Sequence, residues 1–578
     1  MNRLLAASLV LSLAVFLPGC GGSSTSSSGA APARSVVPAD APGHTNVVPP
    51  APAAGQSRAG QIYSVYISSP TGDTVVFTVF EPTQITGGRK YPLVLEGHGF
   101  AGTRQTSASA DIKSLLDSGY GVISIDQRGH GETSGTIRVM DPDFEGRNLI
   151  AILDWAEARL GWLAYGPSTN GKDSQNLVLG SMGGSYGGMY QYLIHNVDPK
   201  HRLDAMTPEI APSDLTYSLF PNSVVKAGWD FLLFGAGNTA GNNLDRLHFD
   251  PFVINFFQNA LTTNQVSQEA RDFFYYHSNA YFCHGRPVAT NGGAGTVPLY
   301  APVRPNDKVN VMLFQGFRDT LFNFNNAYEN YQCLKAQGGD VRLLTYQSGH
   351  NALQVVPDPG QLFQPTPAVA FDSSCGSLSV GAARLAFFNQ HLKGMPGAAD
   401  KIPSKNCLSL TAGDAVLVDQ VTTGKAGRAV DIPATNLVAG VLELPIPVDL
   451  GITAGAEGDV IGGIPRLEVD VAPVVDGLPG EPIIFAGIGH MRANIPGIWD
   501  LVDNQITPLR GVGRHEVDLA GIAERLAPGD KLALLLYGGH DQYHVTGSLN
   551  IANPTLMPVS VTGKVWVPML GSAVTKAP

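Results

Sequence analysis

Short apolar runs alternate with amphipathic stretches along the first two thirds of the chain. The apolar runs predict strands at residues 74–80, 91–96, 121–126, 176–179, 309–315 and 341–346. The amphipathic stretches predict helices at residues 111–118, 148–160, 189–195 and 380–392. Strands that alternate with helices are typical of a parallel sheet covered by helices on both faces. We therefore predict an α/β fold for this part.

Two regions depart from this alternation. Residues 211–300 contain aromatic helical segments, which predict a helical cap inserted into the α/β domain. Beyond about residue 406, short strands recur between Gly and Pro turns, a spacing typical of an all-β sandwich or jelly roll. These strands are predicted at 415–418, 442–448, 466–471, 482–488, 515–519, 531–536 and 559–567. The predicted domains are an α/β domain at 61–405 and a β-sandwich at 406–570.

The first 20 residues have the features of a bacterial lipoprotein signal. Arg3 precedes the apolar stretch 4–17, and Pro-Gly-Cys follows at 18–20. In such signals the cysteine is acylated and becomes the mature N-terminus, so Cys20 is the predicted lipidation site. Residues 21–60, rich in Ser, Gly, Pro and Ala, are the predicted linker. The alternative is an ordinary secretory signal with an incidental cysteine.

Both interpretations predict export, to the outer membrane or the periplasm-facing envelope if lipidated and otherwise into the medium. After residue 20 no apolar run approaches the roughly 18 residues that a membrane span needs, so the lipid is the only predicted membrane contact. The 37 basic residues are outnumbered by 48 acidic ones and form no basic cluster, which excludes nucleic acid as a partner. The oligomeric state is left open.

Export changes what the other four cysteines imply, because oxidising compartments let disulfides persist. Cys375 and Cys407 flank a predicted helix, while Cys283 lies before a predicted strand and Cys333 in the helix after it. We favour the pairs 375–407 and 283–333, although four cysteines allow three connectivities. Their spacing gives no zinc signature, and we predict neither a metal nor a cofactor.

A Gly-x-Ser-x-Gly pattern at residues 183–187 supplies the strongest candidate chemistry. Small residues at these positions permit a sharp turn that exposes a serine hydroxyl at the end of a strand. A predicted strand leads into the pattern and a predicted helix leaves it, as this geometry requires. Ser185 is therefore the predicted nucleophile rather than part of a structural turn.

A serine hydroxyl needs a base, and the base needs a carboxylate to orient it. His350 follows the predicted strand 341–346, and Asp319 follows the predicted strand that ends at Arg318. This gives the order Ser, Asp, His along the chain. The alternatives are a loop histidine without a catalytic role, a helix-capping aspartate, and a different acid such as Asp340.

Two backbone N–H groups are predicted to stabilise the oxyanion. One belongs to Tyr186, which follows the nucleophile, and the other to Phe100 in the loop after the strand 91–96. His98 in the same loop has a weaker claim as a second base. The Gly-rich loop at 126–135 is expected to be structural.

One further histidine pair resembles a metal motif. His540 and His544 have the i, i+4 spacing of zinc-binding helices, but they lie in the β-rich region. Four residues of a strand span about 13 Å, too far for one ion. We therefore predict no metal site there.

These motifs together resemble the α/β-hydrolases of the Xaa-Pro dipeptidyl-peptidase and cocaine esterase family. The resemblance covers residues 62–570 and rests on the segments at 98–100, 126–135, 183–188, 316–322 and 348–350, and on 462–471 and 526–534 in the last third. It implies an α/β-hydrolase core with a cap and a non-catalytic C-terminal jelly roll. Several members add a tyrosine hydroxyl to the oxyanion hole, where this chain has Phe100.

The sequence thus predicts an exported serine hydrolase that cleaves an ester or amide through an acyl-enzyme. One alternative is a peptidase of the Xaa-Pro dipeptidyl-peptidase type, although no acidic anchor for a substrate amine is identified. A second alternative is a catalytically silent surface lipoprotein that binds a ligand. The expected partner is a small molecule, a peptide or a polymer as substrate, and its acyl and leaving groups are left open.

Overall fold

A computed structural model of the 578-residue chain describes residues 37–166, 176–239, 248–293, 296–302, 308–351, 373–411, 413–440, 444–543, 546 and 556–577. The chain from residue 37 onward is one compact unit. The predicted signal peptide, Cys20 and the first part of the predicted linker lie outside the described residues.

The first two thirds of the chain contain both strands and helices. The strands are β1 (Ser57–Ala59), β2 (Ile62–Ser68), β3 (Thr74–Phe80), β4 (Gln84–Thr86), β5 (Leu93–Gly97), β6 (Gly121–Ile125), β7 (Leu179–Gly184), β8 (Leu203–Glu209), β9 (Asn310–Gly316), β10 (Val341–Tyr346), β11 (Ser373–Ser374), β12 (Leu378–Ser379), β13 (Asn406–Ser409) and β14 (Ala415–Val418). The helices are α1 (Ala110–Asp117), α2 (Glu145–Arg159), α3 (Tyr186–Val197), α4 (Leu215–Leu219), α5 (Ala227–Gly237), α6 (Pro251–Thr263), α7 (Gln268–Tyr276), α8 (Asn279–His284), α9 (Phe324–Gln337) and α10 (Val380–Lys393).

The last third consists mainly of strands. They are β15 (Thr422–Thr423), β16 (Arg428–Ala439), β17 (Ile446–Thr453), β18 (Asp459–Ile464), β19 (Arg466–Pro473), β20 (Ile483–Met491), β21 (Asp500–Leu501), β22 (Thr507–Arg510), β23 (Gly513–Asp518), β24 (Ile522–Leu526), β25 (Lys531–Tyr537), β26 (Met557–Val567) and β27 (Thr575–Lys576).

One sheet organises the α/β part. Its order within the described residues is β2-β3-β6-β5-β7-β8-β9-β10-β13-β14-β27. The strands from β6 to β13 are parallel, while β2, β3, β14 and β27 pair antiparallel at the two edges. Because parallel strands end at the same edge, the loops after β5, β7, β9 and β10 meet there. Helices α4 to α8 lie between β8 and β9, where the cap is predicted.

The strand-rich part packs antiparallel sheets against each other. One sheet has the order β16-β26-β19-β23 and another the order β17-β25-β20-β21. Alternate residues of their strands are buried in a common core that includes Leu467, Val469, Leu534 and Val561. This alternation is typical of a β-sandwich, in which each strand turns one face inward.

The structure differs from several of the sequence-based expectations. Strand β7 starts at Leu179 and runs through the glycines to Gly184, whereas the apolar pattern placed a strand at 176–179. Strands β13 and β14, assigned to the β-sandwich from residue 406 onward, extend the α/β sheet beside β10. Cys283 lies in helix α8, before strand β9, and Cys333 lies in helix α9 after that strand, in the expected order.

Part of the predicted linker is folded onto the domain. Asp40 bridges to Ile67 of β2, and the N–H of Ala41 donates to the carbonyl of Tyr66. Further along, β1 pairs with β4. The segment from residue 37 to 60 therefore adds to the edge of the fold, although its Pro-rich composition is typical of a tether.

Disulfides join Cys283 to Cys333 and Cys375 to Cys407, the two pairs favoured from the sequence. The first links helix α8 of the cap to α9. The second links the segment before β12 to β13 at the centre of a buried cluster. Each bridge therefore ties together elements that lie far apart in the sequence.

Reduction of both disulfides is expected to lower the free energy of unfolding. Loops of 50 and 32 residues correspond to about 4 kcal/mol each in the chain-entropy treatment. Thermal unfolding with and without reductant measures the effect, and a variant with Cys375 and Cys407 both changed to Ser isolates one bridge. Four free thiols in protein purified from the cell envelope would contradict the prediction.

Candidate active site

Ser185 lies on the sharp turn between β7 and α3. Its φ and ψ of 57° and −119° are unusual for a residue with a side chain. The turn passes so close to β5 that a Cβ at Gly187 would lie 2.0 Å from the carbonyl oxygen of Gly97, and one at Gly183 would lie 2.4 Å from the same atom. The glycines on either side of Ser185 are therefore required by space, which explains the Gly-x-Ser-x-Gly pattern.

A chain of hydrogen bonds connects Ser185, His350 and Asp319. His350 Nε2 lies 2.9 Å from Ser185 Oγ, and His350 Nδ1 lies 2.6 Å from Asp319 Oδ2. The Asp319 side chain is fully buried, while that of His350 is 17% exposed. The other carboxyl oxygen of Asp319 accepts the backbone N–H groups of Leu321 and Phe322. The acid is thus fixed in place, and the imidazole bridges it to the serine hydroxyl.

Aromatic rings and backbone groups hold His350. The rings of Trp229 and Phe322 meet its imidazole at near-perpendicular angles, with centroids 6.0 and 5.2 Å away. Its carbonyl oxygen accepts the backbone N–H and the hydroxyl of Thr320, in the turn that carries Asp319. The acid and the base are therefore positioned by the same turn.

The two residues predicted to supply oxyanion donors lie beside the serine. Tyr186 is the first residue of α3, where backbone N–H groups have no partner within the helix. Phe100 lies in the loop after β5, and both residues line the pocket that contains Ser185. The phenol oxygen of Tyr186 accepts the backbone N–H of Met140.

His98 and Asp126, in neighbouring loops, form hydrogen bonds with backbone groups. His98 Nδ1 lies 2.7 Å from the carbonyl of Gly99, and its Nε2 accepts the N–H of Gln127. Burial lowers the pKa of His98, so the ring stays neutral. The Asp126 carboxylate accepts the N–H groups of Arg104 and Glu132. These contacts leave neither group available as a second base.

A largely apolar pocket opens over Ser185. Its aromatic wall consists of Phe100 and of Phe234, Phe249, Phe256, Phe257, Phe274 and Phe322, and most of these residues come from the cap. The pocket contains about 670 Å³ of space between protein atoms, including its opening to solvent. Asp230 of α5 is the one carboxylic acid among the described residues that line it.

Asp230 is unusual in this wall. The residue is only 7% exposed, and its Oδ2 has no hydrogen-bond partner in the part of the chain that the structure describes. Burial raises the pKa of its carboxyl to about 8, against the opposing charge of Lys226. Sequence reasoning missed this residue, although one acid within the apolar helical stretch that became α5 was a usable signal.

Neither a metal centre nor a membrane span is found in the described residues. They contain no group of three or more His, Cys, Asp or Glu side chains arranged to hold an ion. His540 contacts the neighbouring Asp541, and His544 lies outside the described ranges. No described helix is long and apolar enough to cross a bilayer.

A family model matches the α/β part of the chain. Residues 71–352 match the family model of X-Pro dipeptidyl-peptidases (S15 family), which confirms the resemblance drawn from the motifs. The matched range runs from just before β3 to just after His350. The match supports a hydrolase in this part of the chain.

A curated relative is similar over a short segment. It is an uncharacterized 31.7 kDa protein of the traX-finO intergenic region of Escherichia coli, 31% identical over 71 residues. The aligned segment is 12% of this chain and 25% of the relative. The chain thus spans about a quarter of the length of this relative.

Solved structures share the whole fold at low sequence identity. A CocE/NonD family hydrolase from Staphylococcus aureus has a TM-score of 0.57 and 13% identity, with 89% of this chain and 97% of that chain covered. An alpha-amino acid ester hydrolase has a TM-score of 0.58 and 14% identity, with 92% of this chain and 100% of that chain covered. An aminopeptidase from a marine sediment Thaumarchaeota archaeon has a TM-score of 0.57 and 11% identity, with 92% of this chain and 99% of that chain covered. They confirm the predicted α/β core followed by a β-sandwich.

Proposed function

We propose that the protein is a serine hydrolase that cleaves an ester or amide through an acyl-enzyme. The observation that carries this proposal is the unbroken chain of hydrogen bonds from Ser185 Oγ through His350 to the buried Asp319. This arrangement provides a nucleophile that lines the pocket, together with a base and an orienting carboxylate. A structural serine would have no need of all three.

In the proposed mechanism, Ser185 Oγ attacks the substrate carbonyl while His350 Nε2 takes the hydroxyl proton. The N–H groups of Tyr186 and Phe100 are proposed to stabilise the oxyanion that forms. Collapse of the tetrahedral intermediate transfers the proton from His350 to the leaving group and leaves an acyl-enzyme. Water then attacks the acyl carbon, with His350 again taking and returning a proton, and the acid product is released.

The pocket wall indicates the kind of substrate. Phenylalanine side chains from the cap surround the space next to Ser185, so an aromatic or branched apolar group would be buried there. Burial of such a group yields about 25 cal/mol per Å² of apolar surface. We therefore propose that the group beside the scissile bond is apolar.

Hydrolysis of a panel of p-nitrophenyl esters and anilides tests the proposal. Phenylacetyl and benzoyl esters should exceed acetyl esters in kcat/KM, with a burst of nitrophenol equal to the enzyme concentration when deacylation is slow. A fluorophosphonate probe should label the wild type and not Ser185→Ala. Absence of both labelling and turnover would support the alternative of a silent binding protein.

A second candidate is a hydrolase for substrates that carry a free amine, such as amino acid esters or the N-terminal residues of a peptide. The pocket-lining Asp230 favours it: its Oδ2 has no hydrogen-bond partner among the described residues, so a buried ammonium would supply one and favour the ionised form. The names of two similar structures, an alpha-amino acid ester hydrolase and an aminopeptidase, point the same way. A Xaa-Pro anilide distinguishes the dipeptidyl-peptidase version of this candidate.

Asp230→Asn should discriminate between the two candidates. For phenylalanine p-nitroanilide or ester we expect a loss of kcat/KM of about 10- to 150-fold, the usual value of a hydrogen bond to a charged group. The matching phenylpropionyl substrate, which lacks the amine, should be unaffected or improve. Asp117→Asn, on the exposed surface of α1, is the control. Equal changes for both substrates would eliminate the amine-binding role.

We also propose that Cys20 carries a lipid that anchors the protein in the cell envelope. Cys20→Ser should move the protein from the membrane fraction to the soluble fraction, because the acylated cysteine is the only proposed anchor. Fractionation followed by immunoblotting measures this change. Unchanged membrane association of the variant would refute the lipoprotein proposal.

A further inference from the structure

The turn that carries Asp319 is held from outside by two donors. Gln505, from the strand-rich part, donates its side-chain N–H groups to the carbonyls of Phe317 and Asp319, at 2.7 and 3.0 Å. Lys226, at the start of cap helix α5, donates from Nζ to the next two carbonyls along the turn, 2.9 and 3.1 Å away. The turn is therefore fixed by a neutral donor on one side and a cation on the other.

Lys226 is a buried cation that the proposed reaction does not use. The residue is 4% exposed, and burial lowers the pKa of its ammonium to about 8, while the charges of Asp319 and Asp230 oppose this shift. A buried ammonium is costly unless hydrogen bonds and opposite charges compensate it. Here the compensation comes from the turn that positions the catalytic acid.

The start of α5 is also linked to the base His350, through Thr320. Trp229, three residues after Lys226, donates its indole N–H to Thr320 Oγ1 at 3.0 Å. Thr320 in turn donates its backbone N–H to the carbonyl of His350. A shift of this helix end would therefore move the acid and the base together.

We propose that Lys226 is a positioning residue for hydrolysis, which holds the turn that carries Asp319 through the carbonyls of Thr320 and Leu321. The inference rests on the proposed serine hydrolase function. Misplacement of the acid lowers kcat and leaves KM nearly unchanged, because Asp319 acts on His350 rather than on the bound substrate.

Lys226→Met tests this role, since it nearly keeps the length of the side chain and removes the donors. We expect kcat to fall about 10- to 100-fold with KM within a factor of two. Lys226→Gln keeps a donor group at shorter reach, and its kcat should also fall, which keeps the test available where the Met variant is unstable.

Two comparisons separate this role from a general loss of structure. Gln505→Ala removes hydrogen bonds from the other side of the turn, so it should likewise lower kcat and leave KM within a factor of two. Lys113→Met removes an exposed lysine from α1 and should leave both kcat and KM unchanged. The charges that act on Lys226 are those of Asp319 and Asp230, and both are present in all these variants.

The outcomes distinguish the inference from the proposed function. A folded Lys226→Met protein with the kcat of the wild type would overturn the inference alone, provided Ser185→Ala is inactive. A variant with reduced thermal stability whose KM rises as much as its kcat falls would show a general loss of structure and would also overturn it. A wild type that neither turns over substrates nor reacts with the fluorophosphonate would instead refute the proposed function.

Discussion

Ser185→Ala and His350→Ala should each lower kcat by about 10⁴- to 10⁶-fold, because either change removes the activated nucleophile. KM should change little when substrate dissociation is fast, since neither group is assigned to ground-state binding. Ser185 lines the pocket and the His350 side chain is partly exposed, so thermal unfolding should show folded variants. Steady-state kinetics on a phenylacetyl ester measures the loss.

Combining the two substitutions distinguishes a concerted site from independent contributions. The double variant should be little worse than either single variant, because the hydroxyl and the imidazole act as one unit. Multiplicative losses, or a Ser185→Ala protein with a tenth of wild-type activity, would contradict the serine mechanism. Glu269→Gln, on the exposed surface of the cap, is a matched control for expression and assay.

The proposed nucleophile, acid and base were predictable because each has a local signature. The glycines around Ser185 are demanded by the close passage of β5, and that requirement is visible in the sequence. Asp319 and His350 each follow a strongly apolar strand, whose end lies at the catalytic edge of a parallel sheet. The order Ser, Asp, His along the chain then limits which residues can be combined into one site.

Asp230, Lys226 and Gln505 were not predicted, since their roles arise from tertiary contacts. Asp230 and Lys226 lie in the cap, whose path over the sheet has no periodic signal in the sequence. Gln505 belongs to the strand-rich part and meets the Asp319 turn across 186 residues of sequence. No local pattern marks a glutamine that supports a distant carbonyl.

Some boundaries of the fold were displaced for similar reasons. Strand β7 continues through glycines, whose low strand preference hides its true end, because the buried sheet rather than propensity determines the strand. Strand β13 resembles the strands that follow it, yet its pairing with β10 and the disulfide at Cys407 place it in the α/β sheet. Tertiary pairing thus decides where one predicted domain passes into the next.

Asp319→Asn should lower kcat by about 10⁴-fold, less than loss of the serine or the histidine, because the nucleophile and base remain. In the wild type, His350 Nδ1 faces Asp319 Oδ2. An amide in place of this carboxylate cannot stabilise the imidazolium, and its N–H group can favour the wrong tautomer of His350. Asp340→Asn is the control: its carboxylate pairs with Arg342 and His391 at the opposite end of β10 from His350. Full activity of Asp319→Asn together with an inactive, folded Asp340→Asn would move the acid to residue 340. Because Lys226 and two backbone N–H groups are arranged around Asp319 rather than Asp340, we expect the opposite result.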